Sequence, residues 1–136
     1  MTLQVELVVP EGELWSGPAQ RVIAKTLDGD LGVLTGHTPV LGILAAGSLV
    51  RILPEQDGSP GDEIQAAILG GFLSVASDRV SILARQAQLA TDVDRSAAQS
   101  ALDEALESAQ SEGPGGEEDD EVRYARALLR AAGDQS

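Results

Sequence analysis

Residues 28–52 read DGDLGVLTGHTPVLGILAAGSLVRI, and the way this stretch is punctuated decides the fold class. Asp28-Gly29 is a two-residue hairpin signal, because a tight β-turn favours positive φ at its central positions. Short apolar runs follow at 31–34, 40–44 and 48–53, separated by Gly36, Pro39 and Gly47. Runs of this length between glycine and proline read as strands. Working outward, 21–27 is a strand leading into the hairpin, and Leu3, Val5, Leu7 and Val9 alternate with less apolar neighbours at the period of a half-buried strand. Downstream, 54–62 holds two Pro and two Gly and reads as a surface loop. Strands at 63–69, 72–77 and 80–84 complete the set, broken by Gly70-Gly71, read as a tight turn or bulge, and by Asp78-Arg79. Eight short strands argue for an antiparallel sandwich or barrel.

The texture changes near residues 86–91. Val, Ile and Gly give way to Ala, Ser and Gln, which is a switch from strand formers to helix formers. The expected class is therefore α+β: an N-terminal antiparallel β-sandwich over 1–87 and a C-terminal α-helical hairpin over 88–136. Thr91 and Asp92 are candidate caps for the first helix, with Asp94 adding negative charge to its first turn. Ala97, Ala98, Ala101, Leu102, Ala105, Leu106 and Ala109 share one face. A face made mostly of Ala allows close approach but buries little area. Residues 111–121, SEGPGGEEDDE, read as an acidic connector that interrupts the helix. Val122, Ala125, Leu128, Leu129 and Ala132 then form the apolar face of a second helix of about three turns, ending near Gly133. So short a helix is marginal alone and must dock to persist.

The chain has 136 residues, 22 acids against 9 bases, a net charge of −13 and no Cys. The acids are uneven: residues 1–86 carry ten acids and five bases, residues 87–136 twelve and four. Missing Cys excludes disulfides, thiolate metal sites and a Cys nucleophile. Only Trp15, Phe72 and Tyr124 are aromatic, so no basic, ring-studded nucleic-acid surface is expected. No apolar run reaches a membrane span, and the N-terminus lacks the basic region of a secretory signal. His37 is the single His, and it reads as a turn residue with a local hydrogen bond or a partner contact rather than as a catalytic group. Asp28 and Asp30 are a carboxylate pair, but Asp is also what hairpin geometry selects. No phosphate-binding loop is present. Arg123, Arg126 and Arg130 sit at i, i+3 and i+7 on one stripe of the last helix. They read either as a solvated face paired with the acidic connector or as a basic ridge for an acidic partner surface. Neither metal nor cofactor is expected, and a subunit or adaptor is favoured over an enzyme.

Against this background residues 28–52 resemble the signature stretch of the epsilon subunits of F-type proton-translocating ATP synthases. The family pattern is an acidic turn, a Leu-Gly pair, Gly-His-x-Pro, an apolar strand and a Gly before a strand with Arg. Here these are Asp30, Leu31-Gly32, Gly36-His37-Thr38-Pro39, residues 40–44, Gly47 and Arg51. LGGFLSVASDRVSILARQAQ at 69–88 and Leu14-Trp15-Ser16-Gly17 after the first strand are similar as well. The resemblance implies a non-catalytic rotor subunit. Its sandwich would bind gamma and the membrane c-ring, with Asp28, Asp30 and His37 as c-ring contacts. Its hairpin would extend to the alpha/beta catalytic head and regulate hydrolysis, with Arg123, Arg126 and Arg130 as the contact. The implied location is peripheral, at the cytoplasmic face of the bacterial cell membrane. Some family members bind ATP through [Ile/Leu]-Asp-x-x-Arg-Ala. The aligned residues are Val93 to Ala98, where Asp94 matches and Ala97 replaces the Arg. Arg95 points about 160° away around the helix, so weak or absent ATP binding is expected. The alternative is a free-standing β-sandwich binding or adaptor module with an acidic helical tail.

Overall fold

A computed structural model describes residues 2–112 and 116–133, with the backbone alone described for 108–112, 116–119 and 133. Eight strands come first: β1 Leu3–Val9, β2 Gly12–Thr26, β3 Gly29–Val33, β4 Val40–Leu44, β5 Ser48–Gln56, β6 Ser59–Pro60, β7 Ile64–Ala76 and β8 Arg79–Leu89. A 3-10 turn, Ala90–Asp92, leads into α1 Arg95–Glu112 and α2 Gly116–Gly133.

The strands form a sandwich because two of them are long enough to serve both layers. β2 pairs with β1 through its first half and with β3 and β5 through its second. β7 pairs with β5 at one end, with β4 at the other, and with β8 throughout. The first and last strands, β1 and β8, then lie side by side and close the sheet on itself. That closing pair is parallel, whereas every other pairing is antiparallel. A parallel neighbour needs a long connection, and the whole of β2 to β7 supplies it. Period-two alternation turns Leu3, Leu7, Val22, Val33, Val50, Ile52, Ile68, Leu73, Val75, Val80 and Ile82 into one buried core.

The structure differs from expectation at definite points. The runs at 63–69 and 72–77 are one strand, β7, with its register shifted at Gly70-Gly71. A bulge adds a residue and bends the strand without ending it. Gly71 has φ of +153°, and a Cβ there would run into the backbone of Leu83, so only glycine fits. The loop at 54–62 contains β6, which pairs with β5. In the β2–β3 hairpin Thr26 faces Gly29, so the turn residues are Leu27 and Asp28, and only Gly29 has positive φ. The Thr26 hydroxyl holds this turn by donating to Gly29 O at 2.8 Å and accepting from Asp28 N–H at 3.1 Å. The paired positive-φ turn lies instead at Ser77 and Asp78, between β7 and β8.

The helices differ too. Asp94 caps α1: its Oδ1 accepts from the N–H of Ser96 at 2.9 Å and of Ala97 at 3.2 Å. Thr91 and Asp92 both fall in the preceding 3-10 turn, too early to cap. Helix also occupies 111–112 and 116–121, inside the expected connector, while 113–115 lie outside the described residues. α2 is thus 18 residues, about five turns where about three were expected.

Candidate functional site

The β2–β3 hairpin and the loop after β3 carry the first group of candidate residues. Asp28 and Asp30 are exposed on the hairpin. His37 lies past the opposite end of β3, where its Nδ1–H donates to Thr38 O at 2.7 Å. Beside it, Gly36 N–H donates to Asp78 Oδ1 at 2.7 Å, which ties the β3–β4 loop to the β7–β8 turn. Strand rise separates Asp30 from the residue after β3 by about 13 Å. The two acids and the histidine therefore occupy two ends of one strand rather than one cluster.

α2 carries the second group. Tyr124, Ala125, Ala127, Leu128 and Ala131 are buried, and Tyr124, Ala127 and Leu128 cluster with Ala67 and Leu69 of β7 and Ala98 of α1. Helical periodicity singles out Ala125 and Leu128 but not Tyr124, Ala127 and Ala131. Small residues on a helix are silent in a pattern search, yet they let α2 lie close to the sheet. This placement turns the Arg123, Arg126 and Arg130 stripe toward the β4–β5 turn. Gly47 in that turn has φ of +70°, and a Cβ there would overlap the backbone of Arg123. Arg130 Nη2 donates to Gly47 O at 3.1 Å. The stripe lines a cavity of about 660 Å³ together with Lys25, Arg51 and Asp30. Of the acidic run, Asp120 sits 3.9 Å from Arg85 of β8 rather than beside the stripe. The side chains of 117–119 lie outside the described residues.

Asp94 and Ala97, the altered nucleotide motif, line a separate cavity of about 320 Å³ where α1 starts. Asp92 and Glu121 add further carboxylates, and no cation lines it among the described residues. Tyr124 lines it too, and its buried hydroxyl has no hydrogen-bond partner among the described residues. Burial, and secondarily the charge of Glu121, push its pKa up to about 12. An acidic cavity with Ala97 in place of Arg offers a phosphate chain no partner.

A fourth surface went unread in the sequence. Ile43, Phe72 and Leu83 face one another across β4, β7 and β8 in a single row, and all three are about half exposed. Leu41, two residues before Ile43, and Leu27, whose N–H donates to Ile43 O, extend this apolar outer face. The available signal was β4 itself, VLGIL, which has no polar residue on either face. A strand apolar on both sides is one covered on both sides.

A closed sandwich, a thinly packed helical hairpin and separate apolar, acidic and basic surfaces define a subunit that works by contact with other proteins. No group of His, Asp or Glu able to hold a metal occurs among the described residues, and no helix there is long and apolar enough to cross a membrane. The family described as ATP synthase, Delta/Epsilon chain, beta-sandwich domain matches residues 2–90, and the chain belongs to it. It is a non-catalytic subunit of a membrane complex, and that removes the enzyme and free-standing adaptor alternatives. An ATP synthase epsilon chain of Thermobifida fusca is 49% identical over 135 residues, covering 96% of this chain and 91% of that one. One from Frankia casuarinae is 52% identical over 89 residues, covering 65% of this chain and 99% of that one. A chain in the cryo-EM structure of the Euglena gracilis mitochondrial ATP synthase, OSCP/F1/c-ring, has a TM-score of 0.71 at 24% identity, covering 98% of this chain and 81% of that one. At that identity the likeness is one of fold.

Proposed function

We propose that this chain is the central-stalk rotor subunit of a bacterial F-type ATP synthase, coupling proton flow to ATP synthesis at the cytoplasmic face of the membrane. The observation that carries this reading is the exposed Ile43–Phe72–Leu83 row, an apolar sheet face in a chain of net charge −13. Gamma is its proposed occupant, since an acidic subunit that must turn with the stalk needs a contact held by apolar burial rather than charge. The acidic hairpin with Asp28 and Asp30 is the proposed c-ring contact. His37, at the other end of β3, belongs to a second contact of the same base. The hairpin regulates hydrolysis. Among the described side chains α1 buries only Ala98 deeply, and three of the five that α2 buries are alanine, so leaving the sandwich gives up little apolar area. Its departure carries the arginine stripe from the sandwich to an acidic surface of the catalytic head.

The test is assembly. Phe72→Glu and Ile43→Glu place a charge on an already exposed face, so each variant keeps the circular dichroism spectrum and melting temperature of the parent. Both fail to co-purify with gamma. Normal assembly of the double variant overturns the assignment.

A further inference from the structure

The cavity under the arginine stripe gathers five of the chain's nine Lys and Arg residues: Lys25 and Arg51 from the sandwich and Arg123, Arg126 and Arg130 from α2. Among the described residues Asp30 is its one carboxylate. Among the described residues none of the five is within 4.0 Å of an acid, although the chain as a whole has more than twice as many acids as bases. Like charges brought together from two units raise the energy of the docked hairpin, and a bound anion removes that cost. Arg130 is already oriented by its hydrogen bond to Gly47 O. The other walls, from residues 23–24 and 45–49, are small or aliphatic. They offer no aromatic face on which a base could stack.

We infer that this cavity is a site for a compact phosphate polyanion, pyrophosphate in kind, held by Lys25, Arg51, Arg123 and Arg126 without recognition of a nucleoside. It is separate from the acidic cavity at Asp94 and Ala97. Its ligand bridges sandwich and α2, so binding stabilises the docked hairpin by mass action. The inference stands independently of the rotor assignment.

Calorimetry on the full chain at fixed ionic strength, with inorganic pyrophosphate as the probe, tests it. Saturation is expected at about 1 mM or below. ATP binds within about threefold of pyrophosphate, and adenosine does not compete. Lys25→Ala with Arg51→Ala, two exposed positions, weakens binding at least about tenfold, as does Arg126→Gln. Asp30→Asn tightens it. Pyrophosphate at ten times its Kd slows amide exchange in α2 by about elevenfold. No saturable heat at about 10 mM, or affinity unchanged in the variants, overturns the site. ATP binding that adenosine blocks and Asp94→Ala abolishes places the ligand at the start of α1 instead. Saturable heat with unchanged α2 exchange removes the bridge, and with it the proposal.

Discussion

Tyr124 is the residue whose environment makes the sharpest demand. Its hydroxyl is buried without a partner among the described residues, and its pKa is pushed up to about 12 against about 10 in an unfolded chain. Between those values the unfolded form loses its proton first. The stabilisation is therefore complete below about pH 10 and lost as pH rises through about 12. As the only tyrosine, it is read directly by ultraviolet absorbance. The expected midpoint is near 12 in the native chain and near 10 in urea; a native midpoint at 10 means that the ring is solvated. Tyr124→Phe removes an unsatisfied polar atom, so a thermal melt should show no loss and up to about 1 kcal/mol of gain. Gly71→Ala is the opposite case. Positive φ and a clash with the backbone of Leu83 leave nothing to give way, and the sandwich loses about 3 kcal/mol or more. Denaturant unfolding followed at Trp15 reports it.

Among the elements, α2 decides the state of the hairpin, because it touches both the sheet and α1. Its seat is Gly47, where any side chain meets Arg123. Gly47→Ala lifts α2 off the β4–β5 turn, so amide exchange in α2 accelerates at least about tenfold while β7 and β8 keep their protection. Unchanged exchange in α2 excludes Gly47 as its seat. Replacing Arg123, Arg126 and Arg130 with Ala leaves the buried face of α2 intact but removes the proposed contact with the catalytic head. ATP hydrolysis by the reconstituted enzyme should then rise to the level seen without the hairpin. A rate equal to that of the parent removes the inhibitory role.

For the molecule as a whole, the proposal to test is that the sandwich folds and assembles without the hairpin. The core of Leu3, Ile52, Ile68 and Ile82 includes no helical residue. The Frankia casuarinae epsilon chain is matched over 99% of its length by 65% of this chain, so the rest of this chain has no counterpart there. A chain ending at Ala90 should fold, bind gamma and support ATP synthesis. Failure to assemble makes the hairpin structural rather than regulatory. Asp30→Arg tests the other end of the complex. A reversed charge on an exposed hairpin changes stability by about 0.5 kcal/mol or less. Proton-driven ATP synthesis should nevertheless fall, and an unchanged rate in a normally assembled enzyme overturns the proposed c-ring contact.

Local order was legible because it is written in neighbouring residues. Alternation in Leu3 to Val9 gave the inward face of β1, the change from Val and Ile to Ala gave the helices, and residues 28–52 with 69–88 carried the family resemblance. Turn and cap details were less legible, since several residues compete for each role: Thr26 holds the first hairpin, Asp94 outranks Thr91 and Asp92 as cap, and a bulge at Gly70-Gly71 continues a strand. What only the tertiary structure decided are the surfaces. The pairing of β1 with β8 joins residues more than seventy apart, the Ile43–Phe72–Leu83 row needs three strands in register, and the basic cavity joins Lys25 and Arg51 to α2. Periodicity fixes which side of an element is apolar. What that side meets depends on contacts between distant parts of the chain, whose energies no local pattern contains.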